Sequence, residues 1–380
     1  MQRPRPTRTN SSIAAVASAA MAVVLSLAGC GAIGLGDDDK ATASKSPSPL
    51  PRIDCAEGKA QVAGSGSSAQ QNVMKYWIKQ YQRACPDVQI AYNPLGSGAG
   101  GAQFLRGATA FGGSDSALKP AEAHQAPGVC PDGRVINLPM VGGSIAIGYN
   151  LPGVDDLVLD ARTLGKIFDS RITRWDDPEI QELNPGTDLP SIPVRPLHRS
   201  DDSGTTQNFQ AYLAGAAPET WPYPAKKSWQ GKGGGSASGS SNVVEQVNAS
   251  FGTIGYFELS FAAGDQVKTV SIDTGADEPV APTPETASAG IAAARVVGQG
   301  KDLTLKFRYG LTAEGAYPIS QVTYEIVCDK GNRPETLPAL KSFLTYTAGD
   351  EGQRLLSGIN YAPLPDSVAV QVREVVRELS

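Results

Sequence analysis

"KAQVAGSGSSAQQNVMKYWIKQYQRACPDVQIAYNP", residues 59–94, holds the pattern on which the fold turns. It opens as an apolar strand, passes through a glycine turn and enters a segment of helical period. Val73, Met74, Trp77, Ile78 and Tyr81 recur three and four residues apart, which places them on one helical face. "DVQIAYN", residues 87–93, alternates as the next strand. The following stretch, "GSGAGGAQFLRGATAFGGSDSAL" from Gly96 to Leu118, repeats the plan with a glycine turn, a short helix, a strand ending at Phe111 and a loop. Strands alternating with helices predict an α/β domain with a mostly parallel sheet.

The same alternation continues downstream. "RVINLPMVGGSIAIGYNLPG" (134–153) reads as one strand running through Gly142-Gly143 into further strand, and a glycine pair inside an extended run marks a bend or a crossing point. "ARTLGKIFDSRITRWDDPEIQELNPG" (161–186) is helical with turns, and "IPVRPLHR" (192–199) is a strand. A helix follows at "TTQNFQAYLAG" (205–215), with Phe209, Tyr212 and Leu213 on one face. "GKGGGSASGSSNVVEQVNAS" (231–250) reads as a linker leading into a helix that starts near Asn242. "GTIGYFEL" (252–259) and "YPISQVTYEIVCDK" (317–330) are strands, and helices are expected at 335–350 and 366–379.

The chain has 380 residues, room for two domains of ordinary size. Its net charge is −5 and no basic stripe appears, which argues against nucleic acid as a partner. The first residues read as a leader. Arg3, Arg5 and Arg8 form a basic start, and Ile13–Leu27 is a small-residue apolar run suited to a secretory signal. The run ends in "LAGC", which resembles a bacterial lipobox with Cys30 as the lipidated mature N-terminus. Cleavage there removes three arginines and no acids, leaving a net charge of −8. Residues 30–54, acidic and then Ser/Pro-rich, have too little apolar surface to order themselves and read as a tether. Four cysteines remain, Cys55, Cys85, Cys130 and Cys328. In an exported protein an even number suggests disulfides, with three possible pairings. No cysteine or histidine has metal-ligand spacing.

Three segments share one chemical design, a Gly/Ser turn that follows a strand and opens a helix. They are Gly66-Ser67-Ser68-Ala69, Gly96-Ser97-Gly98-Ala99-Gly100 and Ser203-Gly204-Thr205. The free N–H groups at a helix start carry partial positive charge and bind anions, and hydroxyls add donors. Each turn alone also suits an ordinary N-cap. Arg199 ends a strand four residues before the third turn, and its planar guanidinium suits a tetrahedral oxyanion. Asp201 reads either as a turn residue or as the partner that holds Arg199 in place. Asp115, in "FGGSDSAL", is an acid expected within an anion site. An ionised carboxylate only accepts hydrogen bonds, so it repels an oxyanion unless that anion carries a proton. Hydrogen phosphate carries one and sulfate none, which makes such an acid a selectivity device. Catalytic motifs are absent: there is no GxSxG elbow, no GxxxxGK[ST] loop and no HExxH. His124 and His198, the two histidines, read as a surface and a strand-end residue.

"GSGSSAQ", "GSGAGG", "FGGSDSALK", "LPMVGGSIAIGYNLPG", "RITRWDDPEIQELNPG", "PLHRSDDSGTTQNFQAYL" and "YAPLPDSV" together resemble the phosphate-binding protein of the phosphate-specific ABC transporter, from about Lys59 to the C-terminal helix. The resemblance implies a two-lobed type II periplasmic-binding-protein fold. Each lobe would hold a mixed, mostly parallel sheet flanked by helices, with the ligand in the cleft between them. Lobe I would comprise 55–141 and 319–380, and lobe II 142–318, with crossings near Val141-Gly142 and Tyr317-Pro318. It implies phosphate contacts from Ser68, the N–H of Ala69, Ser97, Asp115, Arg199, Ser203, Gly204 and Thr205, with Asp201 bracing Arg199. It implies the pairs Cys55–Cys85 and Cys130–Cys328. The function it implies is that of a monomeric, lipid-anchored receptor on the outer face of the cell membrane. Such a receptor passes inorganic phosphate to a permease driven by an ATPase, without covalent chemistry, cofactor or metal. A receptor for another tetrahedral oxyanion and a secreted phosphoester hydrolase are the alternatives. Two positions depart from the family pattern: Ser68-Ala69 replaces a Thr-type residue followed by a bulky apolar one, and Asp202 stands where Gly is usual.

Overall fold

A computed structural model describes residues 51–124, 128–262, 267–310 and 313–380. The expected leader (1–29), Cys30 and the tether up to residue 50 lie outside the described residues.

Strand β1 (Ala60–Gly66) leads through helix α1 (Gln71–Ala84) to β2 (Val88–Asn93), which pairs parallel to β1 with Ala60 opposite Val88. Helix α1 buries Val73, Met74, Trp77 and Tyr81, the face its spacing announced. Trp77 keeps its indole N–H satisfied inside the core by donating to the Gly352 carbonyl at 2.8 Å. Helix α2 (Ser97–Leu105) and β3 (Phe111–Ser114) complete the second repeat, with β3 parallel to β1. The expected strand ends at Phe111, whereas β3 begins there. Gly112 and Gly113 look like turn residues in sequence, yet they are strand residues whose missing side chains make room. A Cβ on Gly113 would lie 2.1 Å from Gln70 Nε2 and 2.4 Å from the Tyr92 hydroxyl.

The 15-residue strand β4 (Val135–Tyr149) is shared by two halves of the molecule. From Val135 to Ser144 it pairs antiparallel with the strand Ser320–Cys328, and from Ile145 onward with the strand Thr253–Glu258. The nine-stranded sheet runs β2, β1, β3, Ser320–Cys328, β4, Thr253–Glu258, Arg195–Arg199 and Gly235–Ala237, with Lys268–Thr269 added beside β4. Pairing is parallel towards both ends and antiparallel around β4, so the sheet is mixed.

Burial follows the same division. Ile136, Leu138, Met140 and Val141 of β4 enter a core with Trp77, Phe111, Val322 and Phe343. Ile145, Ile147 and Tyr149 enter a second core with Trp175, Phe209, Trp221 and Tyr256. Gly142 lies where the cores part. It exchanges both backbone hydrogen bonds with Ala362 at 2.9 Å, and a Cβ there would lie 2.4 Å from Ile291 Cδ1. The helix Pro284–Ala292 and the segment containing Leu303 and Leu305 place Ala287, Ile291, Leu303 and Leu305 in the first core, although they precede the return strand in sequence.

The glycine-rich stretch 231–250 is more ordered than a linker. Gly235–Ala237 is an edge strand, and the helix starts at Gly239, three residues before Asn242. Edge pairing with Leu197–Arg199 supplies the order that a Gly/Ser composition does not announce. Both disulfides implied by the resemblance are formed, Cys55–Cys85 and Cys130–Cys328.

Candidate functional site

Four helices begin at one place between the two halves. Their first residues are Gln71, Ser97, Gly204 and Gly239, so four sets of backbone N–H groups that have no partner within their own helix converge there. The turn read first as a linker supplies the fourth.

Asp115 follows β3 and is buried, with 2% of its surface exposed. The Ser67 hydroxyl donates to its Oδ1 at 2.5 Å and the Thr323 hydroxyl donates to the same oxygen at 2.8 Å. On Oδ2 it accepts from Thr205 Oγ1 at 3.0 Å and, more weakly, from Ser97 Oγ at 3.4 Å. The Asp115 N–H in turn donates to Ser97 Oγ at 3.2 Å, and Asn208 Nδ2 donates to the Asp115 carbonyl at 2.7 Å. Gly204 permits this approach of the two halves, because a Cβ there would lie 2.8 Å from both Asp115 Cβ and Ser116 N.

Arg199 is one of the largest fully buried side chains, at 2% exposure. Its Nε donates to Asp201 Oδ1 at 2.7 Å and its Nη2 to Oδ2 at 2.5 Å, a two-point pair. The Gly239 N–H also donates to Asp201 Oδ1, at 3.0 Å. Burial pushes the Asp201 carboxyl up, but the hydrogen bonds and charge of Arg199, with Gly239, outweigh it and hold the pKa below its ordinary 3.8. The Arg199 N–H donates to the Tyr256 hydroxyl at 3.1 Å, which also shares a 2.7 Å hydrogen bond with Thr206 Oγ1. The Asp201 side chain abuts the next helix start, since a Cβ on Gly96 would lie 2.4 Å from Oδ2.

Of the other expected residues, Ser68 Oγ faces Ser240, accepting its N–H at 3.1 Å and sharing a 3.3 Å contact with its hydroxyl. The Ala69 N–H donates to Ser67 Oγ at 3.0 Å. Ser203 caps the helix Gly204–Ala216, with Oγ accepting the Thr206 N–H at 3.3 Å. Asp202 is exposed, and its backbone carbonyl accepts the Gly98 N–H at 2.8 Å across the two halves. Its side chain explains Gly98, where a Cβ would lie 2.4 Å from Asp202 Cβ. His198 stacks on Trp229 with ring centroids 5.0 Å apart, and His124 ends a surface helix. Among the described residues no group of three or more His, Cys, Asp and Glu side chains is placed to hold a metal, and no helix is long and apolar enough to cross a membrane.

Sequence reasoning missed Asn208, Ser240 and Thr323, and placed Ser67 in an anion turn without giving it a contact. Ser240 sits in the same Gly/Ser helix start as the other three turns, masked by a low-complexity run. Thr323 had a signal of its own. Gln321, Thr323 and Glu325 are polar at every second position of a strand that is buried along its whole length. A buried polar face requires polar neighbours. Glu258, at the strand end opposite Ile145, is buried as well, and burial pushes its pKa well above 4.5. Ser260 and Tyr361 pull the other way through hydrogen bonds, and the Asp115 charge adds to the rise.

Two α/β halves that share a central strand and meet at clustered helix starts define a two-lobed ligand receptor, the type II periplasmic-binding fold. Residues 55–351 match the PBP superfamily domain. The chain is 42% identical over 327 residues to phosphate-binding protein PstS 2 of Mycobacterium tuberculosis, covering 85% of this chain and 88% of that one. It is 30% identical to phosphate-binding protein PstS of Methanocaldococcus jannaschii, covering 80% and 82%. By these measures the chain belongs to the PstS family of phosphate-binding proteins. Its fold is similar to a phosphate-bound high-affinity periplasmic phosphate-binding protein (PfluDING), with a TM-score of 0.67, 21% identity and coverage of 83% and 93%. A putative phosphate ABC transporter substrate-binding protein from Clostridium perfringens gives a TM-score of 0.59 at 22% identity, covering 80% of this chain and 100% of that one.

Proposed function

We propose that this protein is an extracytoplasmic receptor that captures inorganic phosphate and delivers it to an ABC permease driven by an ATPase. The observation that carries the reading is Asp115, an acid packed among the hydroxyls of Ser67, Ser97, Thr205 and Thr323 where four helix starts converge near buried Arg199. In this reading the ligands are Ser68, the Ala69 N–H, Ser97, Asp115, Arg199, Ser203, Gly204 and Thr205. Oriented N–H groups, hydroxyls and the guanidinium neutralise the anion. Asp115 accepts its proton, whereas sulfate, lacking one, meets the carboxylate with no hydrogen bond to offset the repulsion between two anions. Exclusion of water strengthens each contact.

Residues 55–141 and 319–380 form lobe I and 142–318 lobe II in this reading, with the segment 284–306 lying against the lobe I core. Closure is supported by the contacts made from one lobe to the other, Thr205 to Asp115, Ser240 to Ser68 and Gly98 to Asp202. Cys30 carries the lipid, and residues 31–54 tether a monomeric receptor to the membrane. The relatives are binding proteins by name, which supports a receptor that carries out no covalent chemistry. Calorimetry with phosphate, sulfate and arsenate tests the proposal. Phosphate binding with sulfate rejected is expected, and sulfate bound as tightly as phosphate overturns it. Turnover of a chromogenic phosphoester would favour a hydrolase instead.

A further inference from the structure

We propose that Thr323 determines anion selectivity through Asp115, as a positioning residue that does not itself touch the ligand. The inference rests on the phosphate-receptor reading above. Thr323 lies on the strand Ser320–Cys328, which pairs antiparallel with β3 so that Tyr324 faces Ser114. One step beyond that pair, Thr323 stands beside Asp115, 208 residues away in sequence, and donates to Oδ1 at 2.8 Å.

The division of donors between the two carboxylate oxygens gives Thr323 its role. Oδ1 takes Ser67 and Thr323, both from the first half of the molecule. Oδ2 takes Thr205, from the second half, and the longer Ser97 contact. Oδ2 is therefore the oxygen turned towards the meeting of the halves, where a protonated anion would donate. The torsion that turns a carboxylate about its last bond is soft, so the side chain alone does not fix its plane. Two donors on Oδ1 fix it, and with it the direction in which Oδ2 accepts. Thr323 is 3% exposed and sits on a β-branched, rotamer-restricted side chain within a central strand, which makes it the more rigid anchor. Ser67, by contrast, belongs to a turn. Without the Thr323 hydroxyl the carboxylate can swing away from the anion. The carboxylate that repels unprotonated sulfate is then blunted, while the N–H groups and Arg199 that bind any oxyanion stay in place.

The experiment compares Thr323→Val, which keeps the shape and removes the donor, with Thr323→Ser, which keeps the hydroxyl. Phosphate and sulfate affinities are measured by calorimetry on the parent and both variants. Loss of one hydrogen bond to a charged group predicts a phosphate-to-sulfate preference about tenfold lower in Thr323→Val, with Thr323→Ser near the parent. An unchanged preference in Thr323→Val, or an equal fall in both variants, overturns the proposal, because a packing role would weaken both anions together. Should Thr323→Val fail to fold, Thr323→Ala against Thr323→Ser makes the same comparison, and the same two outcomes support or overturn the proposal. A parent protein that binds no phosphate would instead refute the receptor reading.

Discussion

Arg199 and Asp201, two residues apart, form a two-point ion pair, with Nε donating to Oδ1 at 2.7 Å and Nη2 to Oδ2 at 2.5 Å. The pair leaves one guanidinium nitrogen, Nη1, free of the carboxylate and fixes the direction in which it points. It also ties the strand Arg195–Arg199 to the helix start at Gly239 through the Gly239 N–H. A buried guanidinium held in this way is already desolvated and oriented before any anion arrives.

Asp201→Asn is expected to weaken phosphate binding roughly tenfold to a hundredfold, because it leaves Arg199 buried with a poorer partner. The stability effect has a defined pH range. The folded Asp201 pKa is held below 3.8, so the pair stabilises the protein above that value and the contribution is lost as pH falls through the folded pKa. The gap in unfolding free energy between parent and variant should therefore be widest near neutral pH and close in acid. A gap that stays constant from pH 7 to pH 3 would contradict this.

Asp115→Asn replaces an acceptor by a group that also donates. Sulfate then gains a partner, and the phosphate-to-sulfate preference is expected to fall by about tenfold or more. Competition calorimetry reads the ratio directly. A variant that rejects sulfate as strongly as the parent refutes the role given to Asp115.

Ser240→Ala removes a hydroxyl that meets Ser68 across the two halves at 3.3 Å, while the Ser240 N–H remains. The loss of one neutral hydrogen bond predicts phosphate release faster by about twofold to tenfold. Stopped-flow dissociation measures it. Because the contact lies between lobes, the phosphate-to-sulfate preference should stay at the parent value, which separates closure from selection.

Glu258→Gln tests a buried acid. Burial raises its folded pKa well above 4.5, so the folded state holds a proton that the unfolded chain gives up. Stability is then full below about pH 4.5 and declines as pH rises towards the folded pKa. Glutamine keeps the shape and does not ionise. The variant should match the parent near pH 4 and be the more stable of the two at pH 8, as followed by denaturant unfolding. A parent whose stability is flat over that range would refute the assignment.

Much of this was legible in the chain. The helical spacing of Val73, Met74, Trp77 and Tyr81 gave α1 its buried face, and the run through Gly142-Gly143 announced a strand that crosses between the two cores. The Gly/Ser turns, Arg199 and Asp115 carried the chemistry of an anion seat in residue type alone. What misled was local composition. Gly112-Gly113 resembled a turn and is strand, paired on both sides, with glycine at 113 because Gln70 and Tyr92 occupy the space a side chain would fill. The run 231–238 resembled a linker and contains an edge strand, because its order comes from pairing with residues 197–199.

The sequence by itself determined the alternation of strand and helix, the positions of the helix starts and the chemical character of the site, since each depends on periodicity and residue type within a short window. Only the tertiary structure decided which groups meet. Thr323 reaches Asp115 from 208 residues away, and Ser240 reaches Ser68 from 172. Asp202 turned out to be exposed, with its backbone carbonyl accepting the Gly98 N–H. These pairings depend on which strands lie side by side in the sheet and on how the two cores pack against their shared strand. That order is fixed by burial summed over the whole chain, and no local stretch contains it.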